Sequence, residues 1–216
     1  MLHRLFESNS ILNQFIAEIR DIEVQADRLR FRRNMERIGE VFAYEISKYL
    51  SYEEQEVETP LGIAKCNLPN DRIVLATILR AGLPLHNGLL SFLDKADNAF
   101  ISAYRQHHKD GTFEIKMQYK TSPTIEDAIL IISDPMLATG ASMQQTIQAM
   151  LDHGTPKQIH IAVAIASSNG INYIRRHYPK AHLWVAAEDE ELTAKSYIVP
   201  GLGDAGDLAF GSKLQE

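Results

Sequence analysis

Residues Ala128 to His153 read AILIISDPMLATGASMQQTIQAMLDH, and the fold follows from how this stretch divides. The apolar run Ala128 to Ile132 predicts a buried strand, with the acid Asp134 just past its end. Ala138, Thr139, Gly140, Ala141 and Ser142 form a loop of small residues, after which Met143, Ile147, Met150 and Leu151 repeat at helical spacing. Together these parts make a natural anion site. Small side chains admit backbone N–H groups to a phosphate, and a helix N-terminus adds about half a positive charge there. An ordinary strand-to-helix turn with Ser142 as N-cap has the same local pattern. The rest of the chain decides between the two.

Outward from this stretch, strands and helices alternate. Gln158 to Ala166 (QIHIAVAIA) predicts a second buried strand, Ser167 to His177 a helix, and Ala181 to Ala187 (AHLWVAA) a further strand. On the other side, Arg72 to Leu79 (RIVLATIL) is too apolar for a half-exposed strand. It ends in Arg80-Ala81-Gly82, and a helix follows to about Phe92. Ala99 to Tyr104 is another apolar strand and ends in Arg105. The alternation over residues 72–187 predicts an α/β chain with a mainly parallel sheet flanked by helices. Ligands of such sheets gather at the carboxyl ends of the strands, near the topological switch point. Arg80, Arg105 and Asp134 all lie at such ends. A planar guanidinium at Arg80 suits a phosphate or pyrophosphate clamp, with a surface ion pair as the plainer reading.

The flanks are more local in character. Ile11 to Leu50 has a helical pattern, either one helix broken near Asp21 to Asp27 or two helices. Its basic cluster, Arg28, Arg30, Arg32, Arg33 and Arg37, reads as a solvated face paired with Asp21, Asp27, Glu36 and Glu40. A phosphate or effector contact, or a subunit interface, is the sharper alternative. Glu56 to Cys66 predicts a hairpin around Pro-Leu-Gly. Thr112 to Lys120 alternates as an exposed β-ribbon does, and a ribbon projecting there suits a lid that excludes water. His107 and His108 point opposite ways on an extended chain and have no third ligand at suitable spacing, which argues against a metal site.

The tail Tyr197 to Gly211 (YIVPGLGDAGDLAFG) carries a GxGxxG pattern at Gly201 to Gly206. That fingerprint needs a helix and a distant acid after it, and only ten residues remain, so the dinucleotide reading fails. Asp204 and Asp207 suit a metal or ribose hydroxyls, and Tyr197, Ile198, Val199 and Leu202 predict that the tail packs. In bulk, 216 residues suit one domain. A hydrophobic content of 45% with 23% charge is that of an ordinary soluble protein. A net charge of −6 argues against nucleic-acid binding. The single Cys66 excludes an internal disulfide and fits a reducing compartment. The start MLHRLFESNS lacks a signal-peptide core, and there is no apolar run of membrane-spanning length. A cytoplasmic protein with no membrane or nucleic-acid partner is expected.

Four blocks, VETPLG (Val57 to Gly62), ILRAGL (Ile78 to Leu83), DPMLATG (Asp134 to Gly140) and YIVPGLGDAGD (Tyr197 to Asp207), resemble the uracil phosphoribosyltransferases in order and spacing. Pro135 stands where most other branches carry a second acid. The resemblance implies a type I phosphoribosyltransferase fold as a single domain over residues 1–216. Its parts would be an N-terminal helical segment (1–50), a core (72–187), a projecting hairpin lid (106–120) and a base-binding tail (188–216). It implies transfer of the 5-phosphoribosyl group from phosphoribosyl diphosphate (PRPP) to uracil, giving UMP and pyrophosphate in pyrimidine salvage, with Mg²⁺ as cofactor. By position, Ala138 to Ser142 would cradle the 5′-phosphate, and Asp134 would hold the ribose hydroxyls. Arg80, with the backbone of Ala81 and Gly82, would hold pyrophosphate, assisted by Arg105. Tyr197 would pack near the ribose, and the backbone around Ile198, Gly203 and Ala205 would read the uracil edge. Asp204 would face the ribose and magnesium. A homodimer or larger homo-oligomer and a GTP effector belong to the same implication. The chain departs from the pattern at Ala141, where many members have a second glycine and where the backbone must then avoid φ > 0. It departs also at His86, Asn87 and Leu208. A nucleotide-sensing regulatory protein on this fold, or transfer to another base, is the alternative; the tail block disfavours the latter.

Overall fold

The chain opens with a short strand β1 (Leu2–Arg4), then helices α1 (Leu12–Arg20) and α2 (Arg28–Ser47), in a computed structural model that describes residues 1–107 and 113–212, the side chains of 103–118 excepted. Two helices form rather than one because Asp21 Oδ1 accepts from the N–H groups of Glu23 and Val24, turning the chain. Asp27 then N-caps α2, accepting from Leu29 and Arg30. A hairpin of β2 (Tyr52–Thr59) and β3 (Gly62–Pro69) follows, turning at Pro60 and Leu61 and forming a separate two-stranded sheet. It is longer than its sequence signal, and all of β2 is exposed.

The core runs β4 (Ile73–Leu79), α3 (Leu83–Phe92), β5 (Asp97–His107), β6 (Phe113–Thr121), β7 (Ile129–Leu137), α4 (Ala141–Leu151), β8 (Gln158–Ser167), α5 (Ser168–His177) and β9 (His182–Asp189). One seven-stranded sheet has the order β1-β9-β8-β7-β4-β5-β6, parallel except for the β5–β6 ribbon. Alternate residues serve opposite faces. Val74, Ala76, Ile78, Leu130 and Ile132 pack with α4 and α5, whereas Leu75, Ile129 and Ile131 pack with α1, α2 and α3. Burial on both faces is why these strands read as unbroken apolar runs. The expected ribbon is present in the backbone from Phe100↔Thr121 to His107↔Phe113. Its tip, with His108, lies outside the described residues, as does the side chain of His107.

The neighbours β4 and β7 leave the sheet in opposite directions, through α3 to β5 and through α4 to β8. Their carboxyl ends therefore bound the switch-point crevice. One boundary differs from the sequence expectation. β7 does not stop before Asp134 but runs to Leu137, with Asp134 paired to Val163 and Leu137 to Ala166. Its ladder with β4 ends at Thr77↔Ser133, and the Ser133 carbonyl faces β4, accepting from Thr77 Oγ1. Pro135, two residues on, turns the same way, toward a side with no partner strand, so its missing N–H costs no ladder bond.

β1 had no sequence signal, being three residues without alternation. It pairs in parallel with β9 and brings His3 onto Trp184, ring centroids 3.8 Å apart. His3 Nε2 lies 3.1 Å from His182 Nδ1, and Trp184 Nε1 donates to His160 Nδ1 at 3.1 Å. Burial, with mutual repulsion, pushes His3 down to about 4 and His160 down to about 3. The tail ends in a small hairpin, β10 (Glu191–Leu192) with β11 (Ile198–Val199), and helix α6 (Ala205–Phe210). Among the described residues no helix is long and apolar enough to cross a membrane.

Candidate active site

The β7–α4 loop turns at Gly140, whose φ of +85° lies in the left-handed region. Gly140, not Ser142, is the N-cap, and the chain enters the helix through its left-handed conformation. Ala141 is therefore the first helical residue and has no positive φ, so a second glycine is not required there. The first-turn amides of α4 have no intrahelical partner and face the mouth of the crevice. Ala141 N–H donates a long bond to Thr139 Oγ1 (3.4 Å). A cavity of about 50 Å³ lies against the loop between Asp134 and Met143.

The next strand and helix brace this loop from behind. Ser167 Oγ donates to the Ala138 carbonyl and accepts from Gly170 N–H, capping α5 in the same contact. A Cβ on Gly170 would stand 2.6 Å from the Leu137 and Ala138 carbonyls. One on Gly140 would stand 2.7 Å from the Tyr173 ring, which is itself tied to Gln144 through its hydroxyl. Sequence reasoning missed these supports, although Ser-Ser-Asn-Gly after a strand is an N-cap signal.

Asp134 is partly buried beside the loop, and Oδ1 accepts from Met136 N–H at 3.3 Å. Burial pushes its carboxyl up to about 7, with the Met136 bond offsetting a part. Across the crevice, the turn after β4 presses on the same strand: a Cβ on Gly82 would lie 2.2 Å from Thr77 Oγ1 and 3.2 Å from the Ser133 carbonyl. The Arg80 and Asp134 loops are thus held side by side. Arg80 does form an ion pair, but with the tail. Its Nη2 donates to Asp207 Oδ1 at 2.9 Å and to the Gly211 carbonyl at 2.5 Å, while Nε is buried without a partner. Arg105 lies on β5 opposite Ile115, and its side chain is outside the described residues.

The tail reaches the crevice because arginines hold its backbone. Arg20 grips both Asp189 oxygens at 2.8 Å and donates to the Gly201 carbonyl at 2.9 Å, while Gly201 N–H donates to Asp189 Oδ2. Arg32 Nη1 donates to the Ala209 carbonyl at 2.7 Å. Of the expected pairing of the α2 cluster, Arg33 with Glu36 is present and the other partners differ. Arg30 pairs with Glu18 and Arg33 with Glu36, Arg37 lies over the Phe15 ring, and Arg32 serves the tail. Asp21 and Asp27 are occupied by backbone amides instead. Packing of the tail is also selective. Ile198 and Leu202 are buried, whereas Tyr197 and Val199 are exposed, since alternate residues of a short extended segment face opposite sides. Asp204 caps α6 by accepting from Asp207 N–H at 3.0 Å. Gly203 is exposed, at φ +96°, and Ala205 is buried.

His86 is buried, with Nε2 2.7 Å from Asn98 Oδ1, while Asn87 is exposed and Leu208 packs on the core beneath α6. Among the described residues no group of three His, Cys, Asp or Glu side chains is arranged to hold a metal ion.

Comparison with known proteins agrees with this arrangement. The family model described as uracil phosphoribosyltransferase matches residues 6–212. A Porphyromonas gingivalis protein named uracil phosphoribosyltransferase is 56% identical over 95% of this chain and 96% of its own. A solved structure of an Aquifex aeolicus protein superposes with a TM-score of 0.88 at 30% identity, covering 100% of both chains. A hypoxanthine phosphoribosyltransferase from Staphylococcus aureus, at 14% identity and a TM-score of 0.51 over 74% of this chain and 76% of its own, shares the type I phosphoribosyltransferase fold. On this sequence match and this crevice, the chain belongs to the uracil phosphoribosyltransferase family.

Proposed function

We propose that the chain transfers the 5-phosphoribosyl group from PRPP to uracil, forming UMP and pyrophosphate. The observation that carries the reading is the convergence, at one switch point, of a helix-start loop, a partly buried acid, an arginine turn and a glycine-rich tail. The loop from Ala138 to Ser142 takes the 5′-phosphate with its amides and the Thr139 and Ser142 hydroxyls. Arg80, the Ala81 and Gly82 backbone, and Arg105 take the pyrophosphate. Asp134 accepts from the ribose hydroxyls. As the bond from the anomeric carbon to pyrophosphate breaks, positive charge grows on the sugar beside that carboxylate and negative charge grows on the leaving group beside the arginines. No covalent nucleophile is needed, because holding base and sugar in line supplies roughly 7–11 kcal/mol. Ile198, Gly203 and Ala205 present backbone to the uracil edge, and Tyr197 covers the ribose.

The donor set suits a Mg²⁺ carried on substrate rather than caged by protein. Hard oxygens are present at Asp204, and no three-ligand cluster exists among the described residues. The Asp204 carboxylate would hold an ion that arrives with the substrate. When bound, it neutralises charge on the leaving group. Asp204 is the carboxylate proposed to share it.

The reading extends to a cytoplasmic enzyme of pyrimidine salvage, to the ribbon of residues 106–120 as a lid, and to a homodimer or larger assembly. The β2–β3 hairpin favours assembly: it stands apart from the main sheet and carries Leu61 fully exposed and Ile63 at 68% exposure. GTP activation rests on the family pattern alone and is read as a rise in turnover on adding GTP. The decisive experiment incubates the protein with PRPP and, in parallel, uracil, cytosine, hypoxanthine and orotate. Uracil alone is expected to react. Another base reacting while uracil fails overturns the reading.

A further inference from the structure

Arg80 and Asp207 meet across 127 positions of sequence, one on the turn after β4 and the other in the first turn of α6. Nη2 carries two hydrogens, and both are engaged, one by Asp207 Oδ1 and one by the Gly211 carbonyl. The two acceptors are themselves joined, since Gly211 N–H donates to the Asp207 carbonyl at 2.8 Å. A guanidinium is planar and rigid, so two acceptors on one nitrogen fix the direction of the whole fork. Nη1 keeps its hydrogens for a ligand, while Nε is buried without a partner. At 39% and 37% side-chain exposure this ion pair adds little to folding, so its value lies in orientation.

We propose that Asp207 is a positioning residue for the reaction. It fixes the Arg80 guanidinium so that the Nη1 hydrogens are left for the pyrophosphate group, and thereby ties the base-site helix to the pyrophosphate site. The proposal rests on Arg80 being the pyrophosphate ligand.

The test uses the intact enzyme and inorganic pyrophosphate as probe, with calorimetric affinity and steady-state kinetics for Asp207→Asn, Asp207→Glu and Arg80→Ala. Asp207→Asn is expected to weaken pyrophosphate about five- to tenfold and to raise KM for PRPP by a like factor. It should change kcat less and leave the melting temperature nearly unmoved. Asp207→Glu, which keeps the charge, should recover part of the affinity; if Asp207→Asn does not fold, the Glu variant, expected between wild type and Arg80→Ala, decides. Arg80→Ala weakening pyrophosphate while Asp207→Asn stays within twofold of wild type overturns the positioning role alone. Arg80→Ala leaving pyrophosphate affinity unchanged overturns the reading beneath it.

Discussion

Replacing Asp134 by Asn separates what the residue does for chemistry from what it costs the fold. Burial raises its carboxyl from 3.8 to about 7, a shift worth about 4 kcal/mol between protonated and ionised forms. Because the folded value lies above the unfolded one, the stability contributed by the protonated group is complete below pH 3.8. It is lost as the pH climbs to about 7 and is constant beyond that. Asparagine does not titrate, and its carbonyl oxygen can still accept from Met136 N–H. The variant and wild type should therefore unfold alike near pH 4. By pH 8 the variant should be more stable by about 4 kcal/mol, roughly 10 °C in Tm for a domain of this size. Turnover should meanwhile fall about a hundredfold or more, since a negative charge beside the ribose is lost. Urea titrations from pH 4 to pH 8, with steady-state rates at pH 8, measure both. Stability curves that run parallel across that range, or a variant less stable at pH 8, would refute the reasoning.

Three other perturbations test the supports around the site. Gly170→Ala drives a Cβ into the Leu137 and Ala138 carbonyls at 2.6 Å, so the phosphate loop must shift; KM for PRPP should rise several-fold and stability fall by about 1–3 kcal/mol. Asp189→Asn breaks the buried pair with Arg20 and loosens Gly201, costing about 3 kcal/mol and raising KM for uracil more than KM for PRPP, as parallel substrate titrations would show. His3→Gln concerns the far edge of the sheet. His3 and His160 have folded values below the ordinary 6.5, so their contribution is present above pH 6.5 and is lost as the pH falls toward 4 and 3. This sign is opposite to that of Asp134, and the variant should lose stability less steeply than wild type between pH 6.5 and 4 in a melting series.

The sheet was legible because two-sided burial writes each central strand as a continuous apolar run. The crevice was legible because Arg80 and Asp134 stand where such runs end. Boundaries failed where polar residues serve the sheet. Ser133 and Asp134 read as a strand's end, yet both pair with β8, and Ser133 pairs with β4 as well. Ser142 fitted the N-cap pattern, but Gly140, at positive φ, holds that place. Local spacing also supplied the wrong partners for Arg32, because its true partner lies 177 positions away and nothing near it in sequence announces the tail. Arg80 was legible as an anion ligand, whereas its grip on Asp207 depends on tertiary placement alone.

The arginine contacts of the tail bear on how base preference can be exchanged among relatives. Gly201 and Ala209 offer carbonyls to Arg20 and Arg32, which belong to helices laid down at the other end of the chain. A tail grafted alone onto a scaffold without those donors would arrive with carbonyls facing no partner, and its loop would have no fixed shape to present to a base. Altering the specificity of such an enzyme by recombination therefore calls for moving α1, α2 and the tail as one cassette.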